Sequence, residues 1–598
     1  MKKVLAFLLA LSMCLVFVTG CTKIANDDPA ARGAVFDIYI GKKVMNLDPA
    51  IAYTDDNAVK ILSLIFEGLF KLDEKGNLKK ALAKKWEITE DPKTGEERLE
   101  ITIKDTYWSC GSAVQANDVV FAWRRILDPN FDSPAASMLY CIKGAKQVKS
   151  GEISPYDPGF GLYAEKSNKI IVEFEDGANI QEFLNNLASP ALVPLRENKV
   201  TQYPEWSKSA TDLSTNGPFR VKKFSSDPTE HIVLERSRFY YLNQEVSTEA
   251  KDKYVTPYQI NVRHDVSATN VKTMFDNKEL FYLSGLTAGM AAEYGKDVQI
   301  ENEASAFMFY FNFGSEVFED AAVRKAFSLA LDRNAIAAQL GLGTQPATGI
   351  LNDKVFNTKK GTSFREEGGS VVTSNIEEAR SVLASAGIDP SEYDFVRVLI
   401  RWDEKNDGQG SYKSNETVIV DAAMQAWRNL GFEVEPIYAT NEQFEAAYAT
   451  GDYDVVGMDY QMISTNALYD LAMFSSEYSM TGSLLSWYQA AYEAGERVYV
   501  KKAYTNEAFE KLIADAFAES DPAKRAEILH NAEKELINDG AVVPVVFNTN
   551  AYVVSSELKK VKTNYWGVQN FQKANLKNYV QYLPSVRGTT ANAASEEN

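Results

Sequence analysis

Apolar residues fall along the chain in two rhythms. Val35 to Ile40, Leu99 to Lys104, Ile170 to Phe174 and Ile232 to Glu235 alternate with polar positions, the period-two spacing of half-buried strands. Ala58 to Phe70, Glu416 to Leu430 and Asp521 to Ile537 repeat every three to four residues, as helices do. Asn117 stands where it caps a helix whose Val120, Trp123 and Leu127 share one face, and Pro129 follows its end. Asp320 caps another, with an apolar stripe of Val323, Phe327, Ala330 and Leu331. Strands and helices mix throughout, so the class is α/β or α+β. A chain of 598 residues exceeds one ordinary core, and two or three domains are expected.

One apolar run fits neither rhythm. After Lys2 and Lys3, Val4 to Val18 is broken only by Ser12. It is shorter than the ~20 residues a bilayer span needs and matches the core of a secretory signal. The run ends Val18-Thr19-Gly20-Cys21, which resembles a bacterial lipobox: small residues, then the cysteine that receives a diacylglyceryl group. Residues 1–20 then read as the signal peptide and Cys21 as the lipidated first residue of the exported chain. Two acyl chains suffice for stable anchoring. Residues 21–34 read as a flexible tether, and 585–598, small and polar, as a disordered tail.

Composition narrows the partners. The formal charge of −19 and the lack of a basic block argue against nucleic acid. Aromatic residues reach 12%, a surplus that suits a binding cleft. Cys110 and Cys141 remain after export, where a disulfide between them and two buried thiols are both open readings. Only His231, His264 and His530 occur, far apart, with no metal-protease or serine-hydrolase motif and no phosphate-binding loop. Gly341-Leu-Gly343 follows a helix and reads as its ending turn. A secreted hydrolase is the leading reading from another class, because 82 acidic residues make paired carboxylates inevitable by chance. No cofactor is expected.

Longer motifs are more specific. Asn46-Leu-Asp-Pro-Ala50, Phe66-Glu-Gly-Leu69, Lys71-Leu-Asp-Glu-Lys-Gly76, Ala81-Leu-Ala-Lys-Lys-Trp86, Tyr107-Trp-Ser-Cys-Gly-Ser112 and Asn117-Asp-Val-Val-Phe-Ala-Trp-Arg-Arg125 appear in that order. Asn216-Gly-Pro-Phe219, Phe309-Tyr-Phe-Asn-Phe313, Ala322 to Asn334 and Gly451-Asp-Tyr-Asp454 continue the series. Together they resemble the oligopeptide-binding proteins of ABC importers over about residues 35–580. The resemblance implies an α/β, two-lobed periplasmic-binding-protein-like fold of the large oligopeptide-binding type with an extra domain. The first lobe would comprise 35–80, 211–305 and 542–584, the extra domain 81–210, and the second lobe 306–541. Trp86 and Trp108 are expected to pack. The function implied is capture of a peptide, without chemistry, for an ABC permease and its ATPase subunits, by a monomer anchored to the membrane through lipid. The alternative ligand is a sugar, haem or metal chelate.

The resemblance also nominates a site. Tyr53, Thr54 and Asp55 would lie near a first-lobe strand edge able to pair with peptide. Phe444 aligns near a cleft aromatic, and Asp459, Tyr460, Gln461, Met462, Ile463 and Ser464 form the facing loop. Family members hold there a Trp and, three residues on, an Asp that pairs with the peptide's amino terminus. Here Tyr460 and Ile463 stand in those places. Asp454, Asp459 and Asp470 are the candidates to replace the missing carboxylate.

Overall fold

The computed structural model describes residues 29–583, apart from Thr54, Lys93, Ser226, Pro228, 242–253, 357–361, 403–412 and 494–495. Cys21, Thr54 and the tail therefore lie outside the described residues. Pro29–Arg32 is a short 3-10 helix whose Ala30 is buried, and the Arg32 guanidinium donates to the Tyr258 hydroxyl at 2.9 Å. The last residues of the expected tether are thus fixed to the body.

The chain opens with strand β1 (Val35–Tyr39) and helix α1 (Asp56–Ile65). It then builds a separate four-stranded sheet from β2 (Ala83–Glu90), β3 (Glu97–Ile103), β4 (Leu162–Lys166) and β5 (Lys169–Glu173), ordered β2-β3-β5-β4. Ala116–Ile126, here α2, packs on that sheet, and α3 (Ile180–Asn186) follows it. Gln115 caps α2 together with Asp118, two residues earlier than expected at Asn117. Trp108 is buried and bonded to Asp118, but Trp86 is 36% exposed on the edge strand β2, contrary to expectation.

From Phe219 the chain returns to the first sheet with β6 (Phe219–Lys223), β7 (Ile232–Arg236), β8 (Gln259–Arg263) and β9 (Tyr282–Leu283). The long β10 (Gln299–Phe311) then carries it across to a second set: α4 (Ala321–Leu329), β11 (Val396–Arg401), α5 (Asn415–Arg428), β12 (Val434–Ala439), α6 (Asn441–Thr450), β13 (Val455–Gln461), α7 (Ala467–Ala472), α8 (Glu507–Ala518) and α9 (Pro522–Asn538). Finally β14 (Val542–Val554) runs back. The strand order is β12-β11-β13-β10-β14-β9-β1-β8-β7-β6.

Among the described residues, β10 and β14 alone belong to both halves of this sheet. They pair antiparallel from Gln299↔Tyr552 to Asn302↔Thr549, and again from Ala306↔Phe547 to Tyr310↔Val542. Between Asn302 and Ala306 the register breaks, and there the two halves part into lobes. Phe36, Ile38, Leu234, Ile260 and Val262 fill the first lobe, in a buried cluster that runs on into the β2–β5 unit and the inner side of the second lobe. In the second, Trp427 of α5 stacks on Phe327 of α4 (4.8 Å between centroids) and meets Phe309 edge-on. Asp320 and Asp521 cap α4 and α9 as their sequence positions require.

Candidate ligand cleft between the lobes

The lobes are in contact. Lys42 of the first pairs with Glu416 of α5, and Lys43 lies 3.7 Å from Glu442 of α6. The β2–β5 unit also touches the second lobe. There Ser464 Oγ donates to Asn186 at 2.9 Å, the Tyr140 hydroxyl donates to the Tyr478 carbonyl at 2.5 Å, and Arg525 pairs with Glu182. Three parts of the chain thus meet at one junction, and its two ends differ in character.

The end nearest the β10/β14 register break is polar. Asp459 of β13 accepts the Asn548 amide at 2.8 Å, and Glu303 of β10 lies 3.8 Å from Lys60 of α1. Asp459 keeps access to water, yet both lobes crowd it. Desolvation, with Asp56 nearby, pushes its carboxyl up to about 7, against the pull of Lys42. Burial raises Glu303 as well, partly offset by Lys60, and burial together with Glu303 raises Asp56. Lys42 is drawn down by burial but more strongly held up by Glu416.

The other end is dry. Tyr53, Tyr460, Met462 and Ile463 are all at most 2% exposed. Tyr460 donates to the Asp470 carbonyl at 3.1 Å, and Asp470 accepts the backbone N–H of Ile463 at 2.8 Å. Burial pushes the Asp470 carboxyl well up, against those N–H donors, and does the same to the Tyr53 hydroxyl with Asp470 adding to the effect. Tyr53 and Asp55 correct one expectation: they flank no free strand edge. Asp48 and Pro49 start a short helix, Pro49–Ala52, that ends at Tyr53, and Asp55 caps α1 through the Asn57 and Ala58 N–H groups. The neighbouring strand β1 is paired on both sides.

The remaining nominated residues serve the walls. Phe444 is buried in α6 beneath the Arg401 guanidinium, 3.7 Å from its ring centroid. Gln461 donates to the Ala304 carbonyl at 2.8 Å, and the Met462 N–H reaches the same atom at 2.9 Å. Cys110 and Cys141 are free thiols, and burial pushes that of Cys141 up. Lys42, Asp56, Lys60, Glu303, Glu416 and Asn548 line the polar end unannounced by any motif, because only the pairing of β10 with β14 brings them together. Two surface hollows, of about 510 and 390 Å³, sit at β12 and beside Tyr488 and Arg497, away from the lobe junction.

Residues 77–482 match the family described as "Bacterial extracellular solute-binding proteins, family 5 Middle". The chain belongs to this family of bacterial extracellular solute-binding proteins. It is 24% identical over 576 residues to the dipeptide-binding protein DppE of Bacillus subtilis, covering 94% of this chain and 96% of that one. Among solved structures it resembles the substrate-binding domain of an oligopeptide ABC transporter from Bacillus anthracis, with a TM-score of 0.74, 22% identity and coverage of 91% and 99% of the two chains. Listeria monocytogenes OppA bound to peptide gives 0.73, 20%, and 91% and 99%. As a member of a family of solute-binding proteins, this chain is a binder rather than an enzyme. The large oligopeptide-binding-type fold expected from the motifs is the fold observed.

Proposed function

We propose that this family 5 protein captures short peptides outside the cell and presents them to an ABC permease, held at the membrane by lipid on Cys21. The observation that carries the reading is the closed junction itself. Among the described residues the Tyr53 hydroxyl finds no hydrogen-bond partner although it is buried where the lobes meet, in a fold whose Listeria likeness holds a peptide. Buried polar groups are otherwise almost always paired, so the space suits a ligand that brings its own hydrogen bonds. Ligand contact is assigned to Tyr53, Thr54, Asp55, Phe444 and the stretch Asp459 to Ser464, where backbone groups read a peptide without reading its sequence. Closure then shifts the population toward the form a permease recognises.

Mass spectrometry of material released from freshly purified protein tests this without presupposing a ligand. Short peptides in about equimolar amount are the expected result; a sugar, haem or metal chelate would replace the peptide reading. Ile463, standing where the resemblance to oligopeptide binders implies an acidic residue, is the observation that favours this second reading. For the anchor, Cys21→Ala is expected to leave the membrane fraction and to lose incorporation of radiolabelled palmitate. Retention of both would refute lipidation at Cys21.

A further inference from the structure

The chain is acidic overall, yet the fold gathers lysines on one surface. The hairpin of Phe70–Leu72 and Leu78–Lys80 carries Lys71, Lys75, Lys79 and Lys80. Lys71 and Lys79 stand directly opposite each other across it, a pairing that like charges disfavour. The stretch 558–583 carries Lys559, Lys560, Lys562, Lys573 and Lys577, and no Asp or Glu. Two short ladders fold this stretch back on itself: Leu558–Lys559 pairs with Asn575–Leu576, and Lys562–Thr563 with Gln569–Asn570. All nine lysines are exposed.

The hairpin and the later stretch touch. Lys562 Nζ lies 3.0 Å from Glu74, and Gly76 sits against the Tyr565 ring, where a Cβ would come within 2.8 Å. Asp73 pairs with Lys79 at 3.4 Å. Together the two segments hold nine lysines and two carboxylates, in a chain whose total charge is −19. The body also begins here. The Tyr579 hydroxyl, two residues past Lys577, donates to the Ala30 carbonyl at 3.0 Å. From Cys21 to Pro29 is eight residues, which span at most roughly 29 Å in any conformation. A chain of 598 residues folds to a radius of gyration of about 25 Å, so its far side stands about twice that distance away. The tether is too short to present that side to the bilayer.

We propose that this lysine-rich surface docks the body on anionic phospholipid headgroups of the membrane that holds the anchor. The docking rests on the lipid anchor at Cys21 given above. Headgroup phosphates supply the negative charge that the surface lacks, and each lysine close to them strengthens the contact by about a factor of five. Salt at physiological strength confines the attraction to about 8 Å, so the acidic remainder of the molecule, farther from the bilayer, opposes it little. The short tether keeps the surface within reach. A docked body has one orientation, where a body held by the tether alone would swing.

The test uses the exported chain with Cys21→Ala and an amino-terminal hexahistidine tag, held on nickel-chelating vesicles of phosphatidylcholine alone or mixed equally with phosphatidylglycerol. Lysine acetylation is read by mass spectrometry. Lys71, Lys79, Lys559, Lys560 and Lys577 are expected to react at least about threefold more slowly on the phosphatidylglycerol vesicles, and equally on both in about 0.5 M salt. Lys511, Lys524 and Lys534, exposed on α8 and α9, are expected to react alike on both. Lys559→Gln, Lys560→Gln and Lys577→Gln together are expected to abolish the protection of Lys71 and Lys79. Lys511→Gln, Lys524→Gln and Lys534→Gln, the same change in net charge, are expected to keep it. Equal acetylation of the wild type on both vesicles, protection that survives salt, or protection lost in both triple variants overturns the docking surface. If the first triple variant fails to fold, the wild-type pattern decides alone. In native membranes, protection that vanishes when the permease is deleted assigns the surface to the permease and overturns the lipid docking. The tag replaces the natural anchor, so these results leave lipidation at Cys21 to the palmitate assay.

Discussion

Asp459 illustrates how closure changes a single residue. In the open chain its carboxyl would titrate near 3.8, whereas between the lobes burial and Asp56 bring it to about 7. The folded, closed state therefore binds more protons than the unfolded one between those values, so this group's contribution to stability falls as pH rises from about 4 through 7. Asp459→Asn removes the penalty and keeps an acceptor for Asn548. Its melting temperature is expected to equal the wild type's near pH 4 and to exceed it by on the order of 1–2 °C at pH 8. A gap that shrinks with rising pH would contradict this. Gly451-Asp-Tyr-Asp454 located the stretch from Asp459 to Ser464, but Asp459 to Gln461 extend β13, paired with β10, rather than form the expected loop. Asp470 was named only as one of three candidates, since only the fold brings its carboxylate to the Ile463 and Ser464 N–H groups.

At the level of elements, strands and long helices followed their periodicity closely. The alternation at Val35, Leu99, Ile170 and Ile232 became β1, β3, β5 and β7, and Asp521 capped α9. The failures have local causes. Gln115 displaced Asn117 as a cap because Asp118 reaches back to the Gln115 N–H at 2.8 Å, and the apolar run after Ala58 left its helix at Ile65 because Phe70 pairs with Lys80 in a small hairpin. Gly451 shows a motif residue with an element-level duty. It ends α6 at φ +67, and a Cβ there would stand 2.0 Å from the Tyr488 carbonyl oxygen. Gly387 ends the helix Ile376–Ala386 at φ +72 with nothing within 4 Å of the same position. Gly451→Ala is thus expected to cost about 2–4 kcal/mol in urea unfolding and Gly387→Ala only about 1. Equal costs would mean that the Tyr488 backbone yields.

Across the whole molecule, the consecutive lysines 42 and 43 bridge from the first lobe to Glu416 and Glu442 of the second. Each pair is partly exposed, so each contributes about 0.2–1 kcal/mol and responds to salt. Replacing both lysines by alanine is expected to raise the radius of gyration in solution scattering and to weaken ligand binding by up to about tenfold, with less effect at high ionic strength. Unchanged scattering would show that Tyr140, Ser464 and Arg525 hold the closed form unaided. The two-lobed plan was legible from ordered motifs; the contact of the β2–β5 unit with the second lobe was not, since no sequence period encodes packing between segments hundreds of residues apart. The return of β14 has a consequence for folding. The first lobe's sheet places β9 beside a strand that begins only at Val542, so its edge stays unpaired until nearly the whole chain has been made. A protein that emerges from its amino end must wait with that edge bare, exposed to other chains and to proteases, while the second lobe, whose strands lie mostly within one continuous stretch, needs only the start of β14 to settle.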